Sequence, residues 1–489
     1  MMIREDGRSE ARAKRCGSLA GVLLLATGVV ASAGDLRLIE AAKAQNSAAV
    51  RHLVQAGVDV NASQPDGATA LHWTVHWGDS DTADLLIRAG ANVNAANDLG
   101  ITPLHWACRI MSASMVSKLL KAGAKPNTLA LTTGETPLMA ATRTGSLEAV
   151  KALLAHGARP NLAETAHGQT ALMWAVSRRH TEIVRTLLEH GADVRDRTKV
   201  HPLLFTRGSR GARQKDEVVP VEVPTGGFTP LLFAARQGDV ESAMLLVDAG
   251  ANANDVAADS MSALVIAAHS GNGAVATYLL QKGANPNSAG TGYTALHAAV
   301  LRGDLDLVKS LVAHGADPNA KLTRGTPVRH FSRDYALEGA LVGATPYWLA
   351  AKFAEPAIMR TLAAGGADTT LGLSDGRTPL LAAAGLGSRG DRRDRTLDEV
   401  EQIDAREDER QSLEAVKAAL DLGSDVGAAD KNGETALHAV ASKGFDSVVQ
   451  LLVNAGAQLN VKNKQGLTPL GTAKNHAHTT ELLRKLGAS

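Results

Sequence analysis

The stretch LHWTVHWGD, Leu71 to Asp79, concentrates side chains that can do chemistry. His72 and His76 stand four apart, as do Trp73 and Trp77. Residues at that spacing share one face of a helix. Two imidazoles so placed can ligate zinc, but the metalloprotease pattern puts a Glu directly after the first His and requires a further ligand. Here Trp73 fills the Glu position and no third ligand stands out. A Cys-based zinc site or an internal disulfide is also excluded, because Cys16 lies in the N-terminal segment and leaves Cys108 alone beyond it. GLGSRG, Gly385 to Gly390, matches the glycine spacing of a dinucleotide loop. That loop needs a strand before it and a helix after it, whereas an apolar helical stretch precedes this one and the charged DRRDR follows. No serine nucleophile elbow, phosphate loop or carboxylate pair is evident. The expectation is a non-enzyme with no metal and no cofactor.

The elements that carry these residues recur. A Thr-Pro-Leu-His-like tetrad begins at Thr69, Thr102, Thr136, Thr170, Thr229, Ser262, Thr294, Thr345, Thr378, Thr435 and Thr468. Successive spacings are 33, 34, 34, 59, 33, 32, 51, 33, 57 and 33 residues, so the three long gaps are one period plus 26, 18 and 24 residues. A second signal keeps step with the first: LVQAGVDVN, LIRAGANVN, LLKAGAKPN, LLAHGARPN and their later copies. Thr suits a helix N-cap, and Pro after it fits the first helical position, where no amide donor is needed. The recurring Gly ends a second helix in the left-handed region, and the Asn-containing tail is turn chemistry. No single unit of this size buries its own apolar face, so neighbours must supply the core.

This pattern resembles the ankyrin repeat over nearly everything from Asp35 onward, and exported bacterial ankyrin-repeat proteins in particular. The resemblance implies an all-α solenoid over residues 34–489, each unit a β-turn plus two antiparallel helices, with about 11–12 units including caps. They fall near 35–62 (a cap), 64–95, 97–128, 131–162, 165–195, 225–254, 257–288, 290–320, 344–369, 373–428 (interrupted), 430–461 and 463–489 (a cap). It also implies that His72, His105, His297 and His438 are structural, bonded to backbone near the turn. His76 falls seven positions after the tetrad Thr, where the family's first helix faces the concave surface.

Read in that register, the concave positions include His76, Trp77, Arg109, Arg143, Arg178, Arg236, Arg302, Lys352 and Phe353. Seven of the nine successive pairs at these positions carry Arg or Lys and none carries Asp or Glu. One turn earlier stand Trp73, Trp106, Trp174 and Phe233. One reading is a basic stripe with aromatic anchors, suited to an acidic protein partner, since Arg and Trp are favoured hot-spot residues. The other is ordinary solvated helix surface with aromatics filling space between units. Both stay open on the sequence.

The insertions, 195–226, 320–343 and 389–411, individualise the chain. The first two begin at equivalent turns and are expected to leave the same rim. The third interrupts a unit between its helices, and its charge-dense DRRDRTLDEVEQIDAREDER reads as an exposed helix or a disordered loop. Long loops carry function often enough that an enzyme site built there, with His330 and Asp334 of RHFSRD as candidates, is the first rival reading.

The N-terminus reads as an export signal, residues 1–33. Arg4, Arg8, Arg12, Lys14 and Arg15 precede the apolar run Leu19 to Ala31, and Ala31 and Ala33 suit a cleavage site after Ala33. Without those residues Lys+Arg falls from 51 to 46 and Asp+Glu from 50 to 47, leaving a nearly neutral chain. That argues against a nucleic-acid partner, and no other segment is apolar and long enough for a membrane anchor. The expectation is a periplasmic or secreted protein-binding scaffold whose concave basic and aromatic groove and two rim loops clasp a partner; the second rival is an effector acting inside a host cell.

Overall fold

A computed structural model describes residues 35–206, 220–325, 337, 341–385 and 405–489. The expected export signal, His330, Asp334 and most of the third insertion lie outside the described residues.

Among the described residues the chain forms 24 helices in twelve consecutive pairs, numbered here as repeats 1 to 12. The first pair is Arg37–Lys43 with Ser47–Gln55, and the last is Pro469–Thr472 with Ala477–Lys485. First helices contact the first helices of neighbouring repeats, and second helices contact second helices. One core cluster runs without a break from Leu38 to Leu483. Paired alanines on the first helices, such as Ala140 and Ala141 or Ala234 and Ala235, are fully buried. Their small side chains allow neighbouring backbones to approach closely.

Local chemistry sets the ends of each pair. Thr136 is an extended N-cap residue whose Oγ1 accepts from the Met139 amide (3.2 Å), and Pro137 follows it in the first turn. After the second helix the chain turns through a left-handed glycine, such as Gly157 at φ +85°. An Asn four residues later joins one repeat to the next. The Asn127 Nδ2 donates to the Gly157 carbonyl (2.8 Å) and its Oδ1 accepts from the Arg159 amide (2.8 Å). Asn61, Asn94, Asn161, Asn254, Asn287 and Asn319 repeat the arrangement. The ladder lapses where Arg195, Thr370 and Gly427 occupy the Asn position. At the first lapse Arg197 crosses instead, donating to the carbonyls of Gly227 (2.9 Å) and Val256 (2.7 Å) and pairing with Asp255.

The insertions add the non-repeating features. The first departs from an all-helical chain: strands β1 (Val200–Thr206) and β2 (Pro220–Gly226) pair antiparallel, Val200 opposite Gly226 and Thr206 opposite Pro220. This hairpin lengthens the arms of an inter-repeat turn. It remains tied to the adjacent turns, with the Lys199 amide donating to His167 and the Ala258 amide to Gly226. The second insertion is closed at its base, where Leu322 donates to Ala344 (2.8 Å) and Gly343 to Leu322 (2.7 Å). In the third, residues from Ala405 belong to one long helix, Ala405–Asp421, against nine residues in the other second helices before it. Its sequence AREDERQ is rich in helix formers. Arg410 also pairs with Glu407 (2.7 Å) and Glu414 (2.6 Å), the spacing at which helix side chains meet.

Candidate functional site: the first-helix face

The two histidines of the opening motif do different things. The Thr69 amide donates to His72 Nδ1 (3.1 Å), with Thr69 Oγ1 2.9 Å from the same nitrogen. The far nitrogen, Nε2, lies 3.0 Å from the Ile101 carbonyl in the next repeat. Accepting an amide at Nδ1 and donating at Nε2 define a neutral imidazole. His105, His297 and His438 are held the same way, against the carbonyls of Glu135, Ala344 and Leu467. Burial pushes His72 below its ordinary value, and pushes His105 and His297 down to about 4. Both ring nitrogens of His72 are therefore committed to structure. Among the described residues no group of three or more His, Cys, Asp or Glu could hold a metal ion.

His76 sits among rings. Its centroid is 5.8 Å from Trp73, 4.7 Å from Trp77 and 4.8 Å from Trp106, each edge to face. Trp106 belongs to the next repeat, so this cluster seams repeats 2 and 3. Trp77 stays 46% exposed. The Trp73 indole donates to Gln64 Oε1 in the preceding turn (3.1 Å), and the Lys43 ammonium lies 5.1 Å from the Trp73 ring.

The basic positions are unequal. Arg109 and Arg143 share one carboxylate: Glu135 Oε2 accepts from Arg109 Nη2 (2.8 Å), and Oε1 lies 3.0 Å from Arg143 Nη2. Glu135 stands directly before the tetrad Thr136, outside the positions used to read the stripe, so the sequence count of charges missed it. Arg109 also lies 5.7 Å from the Trp106 ring. Arg236 is exposed and stacks near Phe228 (5.3 Å) and Phe233 (5.2 Å). Arg302 Nε donates to the His269 carbonyl one repeat earlier (2.7 Å). Arg178 is exposed and forms no ion pair among the described residues. Lys352 and Phe353 are half-buried, with Phe353 against the core. Contacts join some of these positions across neighbouring repeats: Trp73 to Trp106 through His76, Arg109 to Arg143 through Glu135, and Arg302 to His269 directly.

A second feature lies in the turns. Leu99 is 52% exposed, Leu129 47% and Leu131 74%. They occupy adjacent inter-repeat turns, and the Leu131 amide donates to the Leu99 carbonyl (2.8 Å). Apolar residues at turn positions, where polar ones are usual, were the available sequence signal.

A family profile described as Ankyrin repeats (3 copies) matches residues 38–130, 111–198, 211–290, 231–322 and 405–489. The B-cell lymphoma 3 protein homolog of Mus musculus is 32% identical over 192 residues, covering 37% of this chain and 40% of that protein. The mouse protein phosphatase 1 regulatory subunit 12A is 44% identical over 70 residues, covering 14% of this chain and 7% of that protein. The match thus spans well under half the length of these curated relatives. The crystal structure of the human ASB11 ankyrin repeat domain aligns at 30% identity and TM-score 0.40, over 51% of this chain and 98% of that one. With the profile matching well over half of its length, the chain belongs to the ankyrin-repeat family.

Proposed function

We propose that the protein is an exported, non-enzymatic scaffold that captures an acidic protein partner on its concave face, the face lined by first helices and turn tips. Ankyrin repeats are protein-interaction architecture, and the family assignment supports a protein partner. The observation that carries the finer reading is the row of cations along that face, from Arg109 to Lys352, with Arg178 and Arg236 exposed. Glu135 neutralises part of the row, so the attraction is local. Export is supported by the composition of residues 1–33 and places the partner in the periplasm or outside the cell.

The test is a triple variant, Arg143→Glu, Arg178→Glu and Arg236→Glu, compared with the unaltered protein in affinity capture from periplasmic extract. The variant should keep its helical circular dichroism and lose the captured protein. Equal capture by both removes the groove reading. Fractionation of the producing cells tests export separately, through a shortened product beginning after Ala33.

A further inference from the structure

Two side-chain bonds recur between neighbouring repeats: the Asn bridge, and the N–H that the fourth tetrad residue sends to the next unit. Among the described residues, every interface but two has at least one of them. Repeats 1 to 5 are joined throughout by Asn61, Asn94, Asn127 and Asn161. Asn254, Asn287 and Asn319 join repeats 6 to 9, Trp348 joins repeat 9 to 10, and His438 joins 11 to 12. Between repeats 5 and 6 the two positions hold Arg195 and Met173, and between 10 and 11 they hold Gly427 and Leu381. Gly, Leu and Met have no side-chain N–H to give, and the Arg195 guanidinium turns back to Asp193 in its own turn (3.0 Å).

Both exceptional interfaces carry an insertion, and at each a side chain from that insertion crosses instead. Arg197 reaches the Gly227 and Val256 carbonyls and the Asp255 carboxylate. Glu409 accepts from the amide and the hydroxyl of Ser447, each at 2.7 Å. The second insertion differs: it lies between repeats 8 and 9, which keep both recurring bonds through Asn319 and His297. One backbone bond between turn tips persists at each exceptional interface, from the Lys199 amide to His167 (2.7 Å) and from the Lys431 amide to Asp375 (2.8 Å).

We propose that the solenoid is jointed. Repeats 1–5, 6–10 and 11–12 are three cooperative blocks, and Arg197 and Glu409 are latches, supplied by the insertions, that hold the blocks in line. In a linear array each repeat is coupled only to its neighbours, so opening begins where the coupling is least. The tip bond and the buried apolar contacts keep the blocks attached, so releasing a latch frees one block to move against the next without unfolding both. Arg178 and Arg236 stand on either side of the first joint, so that joint sets the separation of these two exposed cations. The division into blocks does not depend on what that face binds.

The test restores the missing bond. Gly427 lies outside the left-handed region, and a Cβ built there meets only the Asp425 carboxylate, at 3.4 Å. Its amide donates to Asp425 Oδ1 (2.8 Å), as the Asn94 and Asn319 amides do to Asn92 and Asp317. The Arg195 amide donates to Asp193 in the same way. Both backbones thus already have the shape of an Asn position. Hydrogen exchange of the full chain is followed by mass spectrometry through a urea series below the unfolding transition. The amides are expected to fall into three groups, with steps between repeats 5 and 6 and between 10 and 11. Gly427→Asn should slow exchange in repeats 11 and 12 about tenfold and leave repeats 1 to 5 within about twofold. Arg197→Ala should speed exchange in the turns on either side of repeat 6 by about tenfold, and adding Arg195→Asn should recover most of that loss. One common urea dependence for all twelve repeats, or a step at a different interface, overturns the division into blocks. Gly427→Asn without effect, or slowing every repeat alike, overturns the second joint. Failure of Arg195→Asn to recover the loss overturns the latch role of Arg197.

Discussion

The Trp348 indole donates to the Arg377 carbonyl of the following repeat at 3.0 Å. Trp348 occupies the tetrad position held elsewhere by His72, His105, His297 and His438, whose Nε2 atoms make the same crossing. What this position must provide is a buried N–H aimed at the next unit, and two unrelated side chains supply it. Only the histidine version responds to pH.

That difference gives the first prediction. His105 and His297 sit near 4 in the folded chain, against an ordinary value of 6.5, because burial penalises the imidazolium. Between those values the unfolded chain binds protons that the folded chain does not, so stability rises with pH across the window. It is fully present above about 6.5 and is lost as pH falls toward 4, each histidine contributing on the order of a few kcal/mol. Urea midpoints measured from pH 7 to pH 4 should fall, and the double variant His105→Gln, His297→Gln should flatten that fall. An unchanged slope in the variant would show that other groups govern the acid response.

Gly157 tests backbone geometry alone. Its φ is +85° and nothing lies within 4 Å of a Cβ built there, so a side chain meets no steric obstacle. The left-handed conformation itself is the cost, roughly 1–2 kcal/mol for an ordinary L-residue and less for Asn. Gly157→Val should therefore lower stability by about 1 kcal/mol or more, with Gly157→Asn the milder change. Equal losses for the two, read from thermal unfolding, would point to packing instead.

The repeat frame was legible because Thr136, Gly157 and Asn127 each do a local task that few residue types can do: cap, turn or bridge. Such tasks leave the same letter at the same spacing. Glu135 left no such mark. Its role is created where Arg109, from the repeat before, and Arg143 approach it in space, and spacing along one chain does not encode that meeting. The hairpin of the first insertion was also hidden, since it occurs once and a period cannot reveal it; the helix from Ala405 was one of two readings of the third insertion, and its continuity with the second helix of the unit was the part that spacing did not give. The turn leucines were visible as letters, but their meaning depended on Leu99 and Leu131 becoming neighbours across a turn-to-turn hydrogen bond.

Asn127→Ala probes the ladder. The substitution removes a donor to Gly157 and an acceptor for the Arg159 amide, both at exposed positions where water replaces the lost bonds. A net loss of about 1–2 kcal/mol is expected. Arg197→Ala should act similarly at the junction of repeats 5 and 6, where Arg195 stands in place of the bridging Asn. Hydrogen exchange separates the two: the first variant should speed exchange in the turn joining repeats 4 and 5, where the Arg159 amide lies, the second in the turns on either side of repeat 6, which Arg197 ties together. Uniform acceleration along the chain would mean that the array opens as one unit.

Glu409 assigns a task to the added turns of the long helix. Its Oε1 accepts from both the amide and the hydroxyl of Ser447, each at 2.7 Å. Ser447 lies in the first turn of the next repeat's second helix, Asp446–Asn454, where amides have no partner within the helix. A carboxylate there satisfies an orphan donor and favourably meets the positive end of the helix dipole. The insertion thus supplies, from a neighbouring repeat, a cap that the helix's own N-cap residue, Phe445, cannot provide. Glu409→Ala should cost about 0.5–2 kcal/mol, as loss of an N-cap does. Its effect should concentrate in faster amide exchange over Asp446–Asn454, with the helices of repeats 1 to 4 unchanged. Because the carboxylate faces one hydroxyl and one amide, Glu409→Gln should restore most of the protection through its carbonyl oxygen. Failure of Gln to do so would assign the effect to charge alone.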